Sequence, residues 1–214
     1  MNKISKNIVF KYLLFIVGLF IASLGVALSK DAGLGTSPVS SLPYSISLVN
    51  GLLTFGGWLN LLSLLQVIVQ VVVLKGKCNP IEIVIQTVLA FVYGYLTDFS
   101  CYLLRGISPD TYPLQFICML AGCVVLAFGI WLQLKGGVAM LPGEAMNRAI
   151  AQVSGKRYEN VKILFDVLYL SAGAVICLVF IGELKGAREG SIVVALLVGN
   201  IIKFYNWAFN KITK

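Results

Sequence analysis

The sequence predicts an all-α, polytopic membrane protein: six transmembrane helices arranged as two inverted three-helix repeats, each with one additional amphipathic or re-entrant helix. Three observations carry that prediction. The 214 residues are 58% hydrophobic and only 12% charged, where a soluble domain carries about 25% charged residues to solvate its surface. Six apolar runs are long enough to cross a bilayer, which takes about 20 residues each. A glycine-to-proline segment, GLGTSP at 33–38, returns as GVAMLP at 137–142, 104 positions later. The whole chain, 1–214, reads as one transmembrane domain, with repeat 1 over about 8–106 and repeat 2 over about 113–214.

In order, the spans fall near Tyr12–Leu28, Trp58–Leu74, Ile83–Leu104, Leu114–Leu134, Ile163–Ile181 and Ser191–Phe209. Lys3, Lys6 and Lys11 before the first run give it the outline of a secretory signal, but its length and the five later spans predict an uncleaved helix. Lys and Arg set the orientation. With the N-terminus in the cytoplasm, the inner segments carry Lys3, Lys6, Lys11, Lys75, Lys77, Lys135, Arg148, Lys156, Arg157, Lys162, Lys211 and Lys214. The outer segments carry only Lys30, Arg105, Lys185 and Arg188, and Lys203 lies within a span. This asymmetry predicts a multi-pass membrane protein with both termini cytoplasmic. The net charge of +8 is then a set of anchors beside anionic headgroups rather than a nucleic-acid surface, and no nucleic-acid partner is expected.

At the offset of 104, Gly18 meets Gly122, Gly25 meets Gly129, Leu28 meets Leu132, Gly33 meets Gly137 and Pro38 meets Pro142, and one residue of drift brings Gly94 onto Gly199. Three spans per copy is an odd number, so the second copy enters the bilayer from the opposite side. Inverted repeats of this kind recur in transporters, whose solute site lies between the copies. Gly33, Gly35, Gly137 and Gly143 are expected to break the chain after the first span of each repeat, and Pro38 and Pro142 to open the next helix, where a missing N–H costs nothing. Thr36 or Ser37 is expected to cap the first of those helices.

The segments 36–50 and 141–154 then lie flat in the interface or dip back into the protein; the pattern allows both. Val39, Leu42, Ile46 and Val49 share one helical face, with Ser40, Ser41, Ser45 and Ser47 mainly elsewhere, and Met146, Ala149, Ile150 and Val153 form the counterpart stripe. Dipping helices would aim their positive N-terminal ends at a cavity, favouring an anion.

Ionisable groups within spans are costly and need a reason. Asp98 and Lys203 each follow a repeat-equivalent glycine by four residues, and Asp166 sits one turn after Lys162. Glu144 and Arg148 stand at i, i+4 on the second amphipathic segment. The candidate solute-binding residues are therefore Thr36, Ser37, Ser40, Ser41, Asp98, Glu144, Asn147 and Arg148. Asn60, Gln66, Gln70, Gln86 and Thr87 punctuate the second and third spans and serve either helix packing or a pathway. The chain contains no histidine, its cysteines form no CxxC, and no phosphate-binding loop or nucleophile motif occurs. No enzymatic activity, metal or cofactor is expected.

SKDAGLGTSPVSSLPYSIS, CNPIEIVIQTVLAFVYGYLTDF and REGSIVVALLVGNIIKF resemble the YczE/YyaS/YitT group of bacterial integral membrane proteins, most closely its YczE-like branch. The resemblance implies a polytopic protein of the bacterial plasma membrane and gives no binding residues. Three functions are expected in order: a transporter-like protein handling a small polar, possibly anionic, solute; an accessory factor for a membrane-associated process such as secondary-metabolite production; and the substrate-binding six-span subunit of a multi-component importer. The lipid bilayer is the expected partner, with a homodimer or another membrane protein possible through glycine-bearing faces.

Overall fold

A computed structural model describes residues 3–212, with side chains over 8–211. Eight helices run in the order α1 (Lys3–Asp31), α2 (Pro38–Val49), α3 (Phe55–Val73), α4 (Pro80–Leu103), α5 (Tyr112–Gly136), α6 (Pro142–Ser154), α7 (Tyr158–Phe180) and α8 (Glu189–Ile212), with no strand among the described residues. Six are long and apolar enough to span a bilayer: Ile8–Asp31, Phe55–Val73, Pro80–Leu103, Tyr112–Gly136, Tyr158–Phe180 and Glu189–Lys211. Each overlaps a run predicted from sequence and begins two to five residues before it, and three of them, Phe55–Val73, Pro80–Leu103 and Tyr158–Phe180, end one residue short of it. The two short helices, α2 and α6, begin at the prolines expected to open them.

The breakers act as their chemistry requires. Gly33 and Gly35 take φ of 74° and 104°, and Gly137 takes 59° as the C-cap of α5, values that only glycine adopts freely. Gly143 is different. It has no left-handed φ; its missing side chain instead leaves room for Gln66, whose amide would lie 3.3 Å from a Cβ there. Thr36 does not cap α2, because its hydroxyl has no partner.

The chain resolves into two units. The first comprises Met1–Ser37, Phe99–Val138 and Arg188–Lys214, and the second Pro38–Asp98 and Ala139–Ala187. In the first unit α1 and α5 cross at backbone contact. A Cβ on Gly18 would fall 2.7 Å from the Gly129 carbonyl, and one on Gly122 would fall 2.5 Å from Ser29 Oγ and 3.0 Å from the Gly25 carbonyl. Gly25 presses on the Leu126 backbone and Gly129 on that of Ala22. Small residues permit this approach, and close packing with satisfied polar groups is what holds helices together in lipid. Here Gln133 Nε2 donates to the Gly18 carbonyl at 3.2 Å and Ser29 Oγ to the Gly25 carbonyl at 2.9 Å.

These contacts are reciprocal under the sequence repeat. Gly18 meets Gly129 and Gln133, and the equivalent Gly122 meets Gly25 and Ser29, the equivalents of those two residues. Rising numbers on α1 meet falling numbers on α5, so these repeat-equivalent helices run antiparallel. At the end of α4 the Ser23 and Ser100 hydroxyls lie 2.8 Å apart, and on α8 the Tyr205 ring packs on Phe128 at 5.5 Å. In the second unit, α2 packs on α7 and α6 on α3, while α2 packs on α3 and α6 on α7. That set of pairings is unchanged when each helix is exchanged for its counterpart in the other half.

Candidate functional site

In the second unit the polar side chains face inward. On α2 the buried residues are Pro38, Ser40, Ser41, Pro43 and Ser45, while Val39, Leu42 and Ile46 are half-buried and Val49 is exposed. The apolar stripe read from the sequence therefore forms the outer face of α2, and the serines form the inner one. An interfacial helix resting on protein would bury its apolar side; a helix with lipid outside and a polar interior does the reverse. α6 is mixed, with Met146, Ala149 and Asn147 buried and Val153 exposed.

α3 supplies the largest share of polar atoms. Asn60, Ser63, Gln66 and Gln70 are all buried, and at spacings of three and four they lie along one face. Gln66 Nε2 donates to the Tyr169 hydroxyl of α7 at 3.0 Å, and Ser41 Oγ lies 3.4 Å from the Tyr169 carbonyl. Gly173 and Gly186 come close to Ser45, leaving no room for a Cβ. Ser41, Ser45, Gln66, Tyr169 and Gly143 thus form one connected group from four helices, α2, α3, α6 and α7.

Several buried oxygens in this unit have no partner: Ser45 Oγ, Asn60 Oδ1, Gln70 Oε1, Gln86 Oε1, Asn147 Oδ1 and Asp166 Oδ1. An unsatisfied polar atom in an apolar medium costs several kcal/mol, and nearly all buried polar groups in proteins are paired. Three further unpartnered buried oxygens, Asp31 Oδ2, Thr36 Oγ1 and Ser191 Oγ, lie in the first unit.

The predicted site residues divide. Ser40, Ser41 and Asn147 belong to the polar interior. Thr36 is buried but lies in the first unit, beside the Gly35–Ser191 approach. Ser37 also falls in the first unit. Asp98 is committed elsewhere: it accepts the Gly56 N–H at 2.7 Å and the Thr54 hydroxyl at 2.5 Å, while Thr54 itself caps α3 by accepting the Gly57 N–H at 3.1 Å. A carboxylate at a helix N-terminus satisfies free N–H groups and the positive dipole end. Its repeat counterpart Lys203 is exposed.

Glu144 and Arg148 do not form the expected pair. Arg148 is exposed and reaches Met140 Sδ at 3.5 Å. The neighbouring cation of Glu144 is Lys162, whose Nζ lies 2.9 Å from Asp166 Oδ2. Burial raises the Glu144 carboxyl above the usual range, and Lys162 opposes that rise. Among the described residues no group of three or more His, Cys, Asp or Glu is placed to hold a metal ion. The five cysteines are free.

The sequence reading named Gln66 and Gln70 but did not assign them to the site, and it passed over Ser63 and Tyr169. Their signal was the common face on α3. Tyr169 gave none, since a tyrosine in a span is ordinary.

These observations define an all-helical, six-span membrane protein with a polar interior. The chain belongs to a family of unknown function, DUF6198, whose model matches residues 9–207. It is 27% identical over 175 residues to the uncharacterized protein YyaS of Bacillus subtilis, covering 81% of this chain and 83% of the relative. It is 26% identical over 203 residues to the uncharacterized membrane protein YczE of the same organism, covering 93% and 86% respectively. No solved structure matches the chain.

Proposed function

We propose that this membrane protein is transporter-like and takes a small polar solute into the interior of its second unit. The observation that carries the reading is the set of unpartnered buried oxygens on α2, α3, α4, α6 and α7 of this unit. A helix bundle kept only for packing would leave such positions apolar, since burying a polar group without a partner is unfavourable. The inverted architecture fits the same reading. Antiparallel α1 and α5, equivalent in the repeat, are what inversion requires, whereas a direct duplication with an even number of passes would make them parallel.

Plasma-membrane orientation with cytoplasmic termini is part of the proposal. The Lys11 carbonyl lies beside Gly136 at the far end of α5, and Lys135 Nζ sits 4.6 Å from the Phe209 ring on α8. These contacts gather the start of α1 and the ends of α5 and α8, all lysine-bearing, on one side.

The test is a thermal-stability screen of the purified full chain with small polar solutes, followed by uptake into liposomes carrying it. A solute that stabilises the chain and accumulates, with both effects lost in Gln70→Leu and Asn147→Leu, supports the reading. Uptake that persists in both variants would count against it.

An accessory role is the second reading, favoured by one observation. α8 exposes Gly199, Asn200 and Lys203, and no heavy atom lies within 4 Å of a Cβ on Gly199. A polar and small-residue stripe without a protein neighbour suits a membrane partner. Copurification of another membrane protein, lost in Gly199→Leu, would select it; an energising ATPase module among the partners would point to an importer subunit.

A further inference from the structure

We propose that the exposed face of α8 around Gly199 and Lys203 is a dimer seat, filled by the start of α7 from a second copy of this chain, whose Glu159 pairs with Lys203. This rests on the second reading above, in which the α8 face takes a membrane partner, and it names that partner.

The first repeat supplies the precedent. Its last span, α4, receives a neighbouring helix on the equivalent face. A Cβ on Gly94 would collide with the Asn60 amide of α3, and one on Gly56 of α3 with the Gly94 carbonyl. One turn further on, Asp98 accepts the Gly56 N–H at 2.7 Å and the Thr54 hydroxyl at 2.5 Å. The offset that brings Gly94 onto Gly199 also brings Asp98 onto Lys203 and Thr54 onto Glu159. The Thr54–Asp98 contact therefore has a counterpart pair of reversed polarity. A hydroxyl donor becomes a carboxylate acceptor, and a carboxylate acceptor becomes an ammonium donor.

Both members of that pair stand ready. No heavy atom lies within 4 Å of a Cβ on Gly199, and Lys203 is exposed and forms no ion pair with a described acid. Glu159 is 65% exposed and lies 3.5 Å from an Arg157 that is 81% exposed, a contact worth little at such a surface. Lys203 sits well inside α8 (Glu189–Ile212), where a charge facing lipid is costly. Its Cα–Cβ bond leans toward the helix N-terminus, away from Ile212, the nearer end, so the headgroups are reached only against that tilt. A carboxylate delivered by another helix removes the cost.

A second copy brings that carboxylate with the right sign and direction. α7 and α8 are consecutive spans of opposite direction, as α3 and α4 are. Two chains oriented alike in the bilayer can therefore set α7 of one antiparallel to α8 of the other. A two-fold axis makes the contact twice, Glu159 to the partner's Lys203 and Lys203 to the partner's Glu159.

The experiment reconstitutes the full chain in liposomes, with donor or acceptor dyes on its N-terminus, and reads energy transfer as the protein is diluted in lipid. The native chain is expected to show transfer. Lys203→Glu and Glu159→Lys should each weaken self-association roughly tenfold or more, the cost of like charges brought together at an interface, while the melting temperature of the monomer in detergent stays unchanged. Mixed with each other, the two variants should recover transfer, because both contacts of a mixed dimer join opposite charges. A pair closed within one chain would not be restored by mixing. Should either variant fail to fold, Gly199→Leu decides, since a side chain there fills the seat and should abolish transfer. Transfer unchanged in Gly199→Leu or in both charge variants, or no recovery on mixing, overturns the second-copy assignment. Absence of transfer from the native chain overturns it as well. A different membrane protein that copurifies and is lost in Gly199→Leu would then leave the second reading standing.

Discussion

The α1–α5 crossing of the first unit and the α2–α3–α6–α7 interior of the second are built from the same repeated segment, and they handle polarity in opposite ways. At the crossing, glycines bring backbones together, and Gln133 and Ser29 spend their donors on carbonyls of the facing or the same helix. In the second unit, helices from the two halves also pair, but oxygens on α2, α3 and α6 are left without donors. Lipid gives little help to a helix interface through apolar burial, so stability there comes from close packing and satisfied hydrogen bonds. The crossing meets both conditions and the second interior only the first. The contrast separates a seam of close packing and paired groups from a polar chamber whose oxygens lack partners.

The comparison is most easily broken at the seam. Gly25→Val forces a side chain into the Leu126 backbone and should cost about 3 kcal/mol or prevent folding, the upper range for overpacking. Thermal melting in detergent checks this, with Gly199→Val as the control that changes nothing. Asp98→Ala removes the acceptor for Gly56 N–H and the Thr54 hydroxyl and should cost about 2 kcal/mol, since hydrogen bonds to a charged group are worth roughly 1.5–3 kcal/mol; Asp98→Asn should recover part of that loss. Gln70→Leu, by contrast, removes an unpartnered oxygen from the chamber and should leave the melting temperature unchanged or slightly raised. A large loss from Gln70→Leu would mean that the chamber is a structural core after all. The smallest effect belongs to the rim: Lys162→Met breaks a partly exposed ion pair and should change stability by less than about 1 kcal/mol.

Much of the fold was legible because bilayer physics is simple. Apolar run lengths gave all six spans, and proline and glycine marked the starts of α2 and α6 within a residue. The face of α2 was not legible, since Val39, Leu42, Ile46 and Val49 form a stripe that suits lipid as well as a core; only tertiary packing decides which side is inside. Asp98 misled for a related reason. A charge in a span signals need, but its need was the start of α3, 42 residues earlier, which no local pattern shows. Glu144 was given Arg148 as its partner because helical spacing favours that pair, whereas its neighbouring cation in the folded chain is Lys162. The glycines of the crossing were visible as a repeat, yet their reciprocity belongs to the assembled helices alone.

The GLGTSP bend carries one more consequence. Arg188 Nη1 donates to the Gly33 carbonyl across 155 residues at 3.0 Å, the Gly190 N–H donates to the Leu34 carbonyl at 3.0 Å, and Gly35 presses on Ser191. A ribosome feeding this polypeptide into the bilayer releases the bend long before its clasp exists. The nascent first half must wait with its corner undone, and the last helix to emerge is the one that fastens it. Truncation before Arg188 should thus expose the corner to proteases even though five spans are already seated.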